Sequence, residues 1–226
     1  MNLSFFKNRH HGERCFVVCN GPSLNNMDLS FLRQEIVFGM NKIYLGLPEF
    51  RFYPRYVVVI NEKVIRQSLN HLLTMTSVKF VGDRFKLPIG KVNDPLLWRI
   101  QTELFSDDFS FDLSAGIQEG NTVTYATLQL AYFMGFTQVI IVGMDHRFEF
   151  IGATNESQVL HGPDCNHFSE SYFGDQEWDT PDLERSEKFY GIARDVFNQD
   201  GRDIFDATIN GACNVFKKRD YREFFN

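Results

Sequence analysis

Short apolar runs alternate with longer stretches of helical spacing along this chain of 226 residues. Residues 15–19 (Cys-Phe-Val-Val-Cys), 35–39, 56–60, 78–81, 138–142 and 202–206 are rich in β-branched and aromatic side chains and read as strands. Several are apolar throughout, as strands buried on both faces of a parallel sheet must be. Between them, residues 62–75 place Val64, Ile65, Leu69, Leu72 and Leu73 at helical spacing. Residues 121–134 do the same with Val123, Leu128, Leu130, Ala131 and Met134, and Gly135 stops that helix. Pro181 opens a third long helix to about Asn198, behind Thr180 as its cap. A short helix through Leu32, capped by Ser23 or Asn25, and one short helix within residues 96–105 complete the pattern.

Strand–helix alternation of this kind predicts an α/β fold with a doubly wound, mostly parallel sheet. Neither an internal repeat nor a linker breaks it, so residues 1–226 read as a single domain. Residues 83–115 read as an irregular inserted loop. Residues 146–180, rich in Gly, Asn, His and acidic side chains, read as a lid-like insertion over a site, since loops of that length are uncommon without a function.

Composition narrows the function. Lys and Arg number 23 against 29 Asp and Glu, a formal charge of −6, which argues against a nucleic-acid partner. No apolar run is long enough for a membrane span, and the polar start of the chain lacks the apolar core of a secretory signal. Four cysteines without a CxxC pair read as reduced thiols in a cytoplasmic protein. The basic tail, Lys217 to Arg222, offers peripheral contact with anionic lipid, a solvated face being the plainer reading.

In open α/β sheets, ligands bind beyond the carboxyl ends of the strands. Here the first strand ends in Asn20-Gly21, the second in Asn41, the third in Asn61 and the fifth in Gly143-Met-Asp145-His146. Each Asn alone suits a tight turn, but together they offer amide donors and acceptors to one crevice. The turn Asn20-Gly21-Pro22-Ser23 puts a close-approaching backbone beside a helix start and suits a phosphate. Asn121 and Thr122 open the second long helix as a cap or as an anion or sugar-hydroxyl site. Neither a P-loop nor a dinucleotide fingerprint is present. The insertion holds His146, His161, Asp164, His167, Asp175, Glu177 and Asp179. No HxxxH, HExxH or DxD spacing occurs, so no metal site is assigned. His146 and His167 are the candidate bases for deprotonating a hydroxyl nucleophile.

Cys19-Asn-Gly-Pro-Ser-Leu24, Phe38-Gly-Met-Asn-Lys-Ile-Tyr44, Gly120-Asn-Thr-Val-Thr-Tyr125 and Val142-Gly-Met-Asp-His146 resemble the DUF115, or MptE-like, family. That family's name carries a 6-hydroxymethylpterin diphosphokinase activity, which implies pyrophosphate transfer from ATP with magnesium held by Asp145 and Glu62. The first and last of these motifs also resemble the bacterial sialyltransferases of glycosyltransferase family 42. That resemblance implies a Rossmann-like fold, a CMP-activated acidic sugar as donor, a glycan or protein acceptor, and no metal or other cofactor. It places Asn20, Gly21 and Asn41 on the nucleotide, Asn121 or Thr122 on the donor, and matches Gly143 and Asp145. Where those enzymes carry a tyrosine for the leaving phosphate this chain has Arg147, whose guanidinium suits the same task. Where they carry the catalytic histidine it reads Gln176-Glu-Trp-Asp179, so the base falls to His167, to His146 or to a carboxylate. A nucleotide- or glycan-binding protein without catalysis is the remaining alternative.

Overall fold

A computed structural model describes residues 3–84, 92–103 and 106–225. In chain order its strands are β1 (Arg14–Val18), β2 (Val37–Met40), β3 (Tyr56–Val59), β4 (Val78–Gly82), β5 (Leu97–Ile100), β6 (Thr102–Glu103), β7 (Ile117–Gln118), β8 (Gln138–Val142), β9 (Ser157–Leu160), β10 (Gln176–Asp179), β11 (Asp203–Asp206) and β12 (Lys217–Lys218). The α-helices are α1 (Leu47–Phe50), α2 (Glu62–Thr74), α3 (Val123–Phe133) and α4 (Leu183–Gln199). Eight strands form one sheet in the order β12-β11-β8-β1-β2-β3-β4-β5. Every neighbouring pair in it is parallel. The expected Rossmann-like doubly wound α/β sheet is what the chain forms. Its strand order reverses between β1 and β8, and a crevice opens at such a switch point.

Alternate residues of each central strand enter opposite layers. Cys15, Val17 and Cys19 join Phe38, Met40, Val139 and Ile141 in a core closed by α3 and α4. Phe16 and Val18 join Val37, Val57, Val59, Ile140 and Val142 in a second core closed by α2 and the base of the insertion. Burial of each such side chain contributes about 1.5–3 kcal/mol. Helix α3 is buried from Thr124 to Ala131, which its apolar sequence permits. Helix α4 buries Ser186, Phe189, Tyr190, Ala193 and Phe197, the stripe of a helix packed on one side.

Several expectations are corrected. Residues 97–100 form an edge strand, β5, rather than a helix; Lys79 on β4 pairs with Asp94 at 2.8 Å just ahead of it. The helix expected up to Leu32 is two 3-10 turns, Pro22–Asn26 and Ser30–Gln34, with Met27 and Glu35 extended after them. Helix α4 starts at Leu183 behind Asp182, whose carboxylate accepts the Arg185 N–H; the Thr180 hydroxyl donates to the Ala153 carbonyl instead of capping. The polar start of the chain is anchored: Leu3, Phe6 and His10 are buried, and His10 Nε2 lies 2.7 Å from the Tyr56 hydroxyl. The part of the expected loop at 85–91 and of the expected helix at 104–105 lies outside the described residues. Among the described residues no helix is long and apolar enough to cross a membrane.

Candidate functional site

At the carboxyl edge of the sheet lie two adjoining lobes of one cleft, of about 170 and 440 Å³. Asn41, Asn121, Thr122 and His167 are common to both walls. The small lobe sits over the switch point. Asn20, Gly21, Asn41, Asn121, Thr122, Gly143, Asp145, His146, Arg147 and His167 all line it. Asn61 lines only the large lobe, and Pro22 and Ser23 line neither.

Close backbone approach explains the first turn. The Gly21 N–H donates to the Gly143 carbonyl at 2.8 Å, and a Cβ on Gly21 would stand 1.9 Å from Asp145 Oδ2. Only glycine fits there. Asp145 accepts from the Ser23 N–H at 3.0 Å and the Ser23 hydroxyl at 2.6 Å, so both side chains are engaged in holding the β1 and β8 loops together. Pro22 begins the 3-10 turn behind them. Asn61 is a helix cap, its Oδ1 accepting from the Lys63 and Val64 N–H groups. The Thr122 hydroxyl caps α3 and lies 3.3 Å from the Tyr190 hydroxyl.

The remaining amides are less engaged. Asn20 Oδ1 and Asn41 Oδ1 are buried without a hydrogen-bond partner among the described residues. A buried, unpaired amide oxygen costs about 1–3 kcal/mol, a cost that structures retain where a ligand supplies the donor. The Asn121 side chain makes no hydrogen bond among the described residues. Asn41, Asn121 and His146 all hold left-handed backbone, at φ of 50°, 63° and 56°. Such geometry at residues other than glycine gathers at functional sites. Arg147 is exposed on the rim and forms no ion pair among the described residues.

The insertion delivers His167 to this edge. The Phe168 N–H donates to the Asn20 carbonyl at 2.9 Å, and Asn25 Nδ2 donates to the Phe168 carbonyl at 2.9 Å, so the residue after His167 is fastened to the β1 loop. The imidazole stacks on Tyr172 with centroids 4.0 Å apart and planes at 3°. His167 Nδ1 lies 2.8 Å from Asp164 Oδ2. Asp164 is 2% exposed and also accepts the N–H groups of Asn166 and Phe173. Burial alone would raise its carboxyl; the bonds from His167 and those two N–H groups hold it below the ordinary carboxylate value. A carboxylate that accepts from Nδ1–H fixes the tautomer in which Nε2 carries the lone pair. Tyr172 and Gln176 are held in turn by Lys42, whose Nζ donates to the Tyr172 carbonyl at 2.6 Å and Gln176 Oε1 at 2.7 Å. Burial pushes the Lys42 ammonium down to about 8.

His146 differs from His167. Its Nε2 lies 3.0 Å from Glu187 Oε1, and burial lowers its pKa against the opposing effect of that carboxylate. His146, Glu187 and Cys213 bring an imidazole nitrogen, a carboxylate oxygen and a sulfur within 4.8 Å of one another. Of the carboxylates lining the cleft, Glu119 pairs with Arg84, Asp179 with Lys63, and Asp145 is held by Ser23. Glu62 pairs with Arg66 and lines neither lobe, so Asp145 and Glu62 do not meet as a magnesium clamp. In the tail, Lys217, Lys218, Arg219 and Arg222 each pair with an acidic neighbour. Asp164 stands in the sequence among the titratable groups of the insertion and in the motif Asp164-Cys-Asn-His-Phe168, and its spacing of three residues from His167 is the signal that pairs them. Lys42 and Tyr172 lie in motifs of the sequence, but their part in positioning the imidazole rests on a Lys42–Tyr172 contact across 130 residues that no local pattern shows.

Sheet and cleft together define a Rossmann-like α/β protein with a polar cleft at its switch point, walled in part by residues of the 146–180 segment. Within that class, the chain belongs to the 6-hydroxymethylpterin diphosphokinase MptE-like family, whose profile matches residues 2–149. The fold is similar to that of the MAf glycosyltransferase from Magnetospirillum magneticum AMB-1, with a TM-score of 0.59 and 10% identity over 97% of this chain. This chain spans 35% of that protein's length, and at such identity the likeness is one of fold. No curated protein matches the sequence.

Proposed function

We propose that this chain is a glycosyltransferase that moves an acidic sugar from a CMP-activated donor to a hydroxyl of a glycan or protein acceptor, without a metal ion in the transfer step. The observation that carries this reading is His167 in the wall common to both lobes, backed by the buried carboxylate of Asp164. The small lobe suits the nucleotide: the amide oxygens of Asn20 and Asn41 are acceptors for ribose hydroxyls or an exocyclic amine, and Arg147, with no ion pair among the described residues, is a cation for a phosphate. The large lobe suits the acceptor. His167 Nε2 takes the proton of the acceptor hydroxyl as its oxygen bonds to the anomeric carbon, and the bond to the CMP phosphate breaks toward Arg147. General-base help of this kind is worth about 10²–10⁴-fold. The similar fold of the MAf glycosyltransferase agrees with this class of reaction.

The family's name favours a second reading, pyrophosphate transfer from ATP to a pterin alcohol. That chemistry needs magnesium, and the donor set does not fit it: the cleft carboxylates are already paired, and Glu62 stands outside. The family match also stops at residue 149, short of Asp164 and His167. Two incubations separate the readings. The first supplies a CMP-activated acidic sugar with no added magnesium and follows CMP release. The second supplies ATP, magnesium and 6-hydroxymethylpterin and follows AMP. CMP release that is abolished in His167→Gln supports the transferase; AMP formation with no CMP release overturns it.

A further inference from the structure

His146, Glu187 and Cys213 come from three separate elements: the loop after β8, the second turn of α4 and the loop after β11. Their ligand atoms lie within 4.8 Å of one another, close enough to share one ion. The His146 side chain is 6% exposed and Cys213 is fully buried, while the Glu187 side chain is 46% exposed and gives a path from solvent. Glu187 pairs with no Lys or Arg among the described residues; its one ionic partner is the His146 ring. The nearby cation Lys218 is occupied by Asp206 and the Gly211 carbonyl. The cluster therefore brings together a carboxylate, an imidazole and a thiol, and among the described residues no Lys or Arg pairs with the carboxylate. One nitrogen, one oxygen and one sulfur ligand form a borderline-soft set that suits zinc, with water as the fourth ligand.

We propose that His146, Glu187 and Cys213 form a zinc site that clamps the loop after β8 to α4 and to the loop after β11. Zn²⁺ binding releases the Cys213 thiol proton to solvent, and the thiolate and the Glu187 carboxylate then balance the dication. The clamp fixes the left-handed turn at His146 and therefore the neighbouring Asp145 and Arg147 on the wall of the small lobe. It also gives His146 a structural task, leaving the imidazole of His167 for chemistry. This proposal does not depend on the transferase reading.

The test uses the full chain, stripped of metal by a chelator and dialysed. It is titrated with Zn²⁺ against a chromophoric chelator, and separately with Co²⁺. One equivalent of Zn²⁺ is expected to bind and to raise the melting temperature. The Co²⁺ complex is expected to show a near-ultraviolet sulfur-to-cobalt charge-transfer band. Cys213→Ser removes the band, and Cys213→Ser, His146→Gln and Glu187→Gln each weaken Zn²⁺ at least tenfold, with far-ultraviolet circular dichroism confirming that each variant is folded. Cys165→Ser, at an exposed free thiol, leaves band and affinity unchanged. Absence of stoichiometric Zn²⁺ binding by the wild-type chain overturns the proposal, as does a band that persists in Cys213→Ser or vanishes in Cys165→Ser.

Discussion

The two lobes of the cleft are built on different principles. The small lobe rests on strand ends: Asn20 follows β1, Asn41 follows β2, and Asp145 follows β8, all parallel neighbours in the middle of the sheet. Its positions are set by ladder hydrogen bonds and by the contact between Gly21 and Gly143. The large lobe leans on the insertion. Trp178 and Asp179 reach it from the β9–β10 hairpin, and its rim is closed by exposed ion pairs such as Lys63 with Asp179. Surface pairs of that kind contribute about 0–1 kcal/mol each. The contrast suggests a division of labour, with recognition of the donor on the rigid sheet and the proton acceptor on the insertion. Under the proposed transferase reading, transfer needs both halves, whereas nucleotide binding needs only the first.

Substitutions at the dyad break the comparison most strongly. His167→Gln is expected to lower the transfer rate constant on the order of 10³-fold while CMP affinity changes less than about threefold. Equal losses in rate and affinity would merge the two lobes into one function. Asp164→Asn should cost on the order of 10²-fold in rate, because the amide no longer fixes the Nδ1–H tautomer. Its pH–rate profile should also change, a readout that a purely structural role for Asp164 would leave in place.

Substitution of the strand-end amides acts on the other half. Asn20→Ala and Asn41→Ala are each expected to weaken CMP by about 1 kcal/mol, near fivefold, measured calorimetrically. Both remove a buried amide oxygen that has no partner among the described residues, so melting temperature should hold or rise slightly. A large loss of stability would show that these side chains serve the fold instead.

The smallest effect concerns the fastening of the insertion. Lys42 has its pKa pushed down to about 8 by burial, against an ordinary 10.5. The folded protein therefore binds fewer protons than the unfolded chain between those values, and stability rises with pH across that window. The melting temperature of the wild type minus that of Lys42→Met is expected to grow between about pH 8 and pH 10. A difference that stays flat would show that Lys42 keeps an ordinary pKa in the folded state.

The half of the site built on the sheet was legible in the sequence, and the reason is geometric. An apolar run that stops at a polar residue marks a strand end, and parallel strands bring such ends to one edge. Asn20, Asn41 and Asp145 could be placed together on that ground alone. Asn61, an N-cap that serves the Lys63 and Val64 N–H groups, followed the same strand-end rule without joining the small lobe; the pairing of Ser23 with Asp145 depends on atoms 122 residues apart and left no local sign. The insertion was legible only as a list of titratable groups, since its fold is fixed by Phe168 on Asn20 and by Lys42 on Tyr172. Residues 97–100 were misread because an apolar run of that length suits a buried helix as well as an edge strand. The meeting of His146 with Glu187 and Cys213 had no sequence signal, as 26 residues separate the last two and they approach only when α4 packs beside β11.

CMP titration of three proteins by calorimetry tests the central claim most directly: the wild-type chain, the Asn20→Ala/Asn41→Ala double variant and His167→Gln. Saturable binding to the wild type, at least tenfold weaker in the double variant and unchanged in His167→Gln, is the predicted result. The account is contradicted if CMP fails to bind, or if it binds all three alike while ATP binds more tightly.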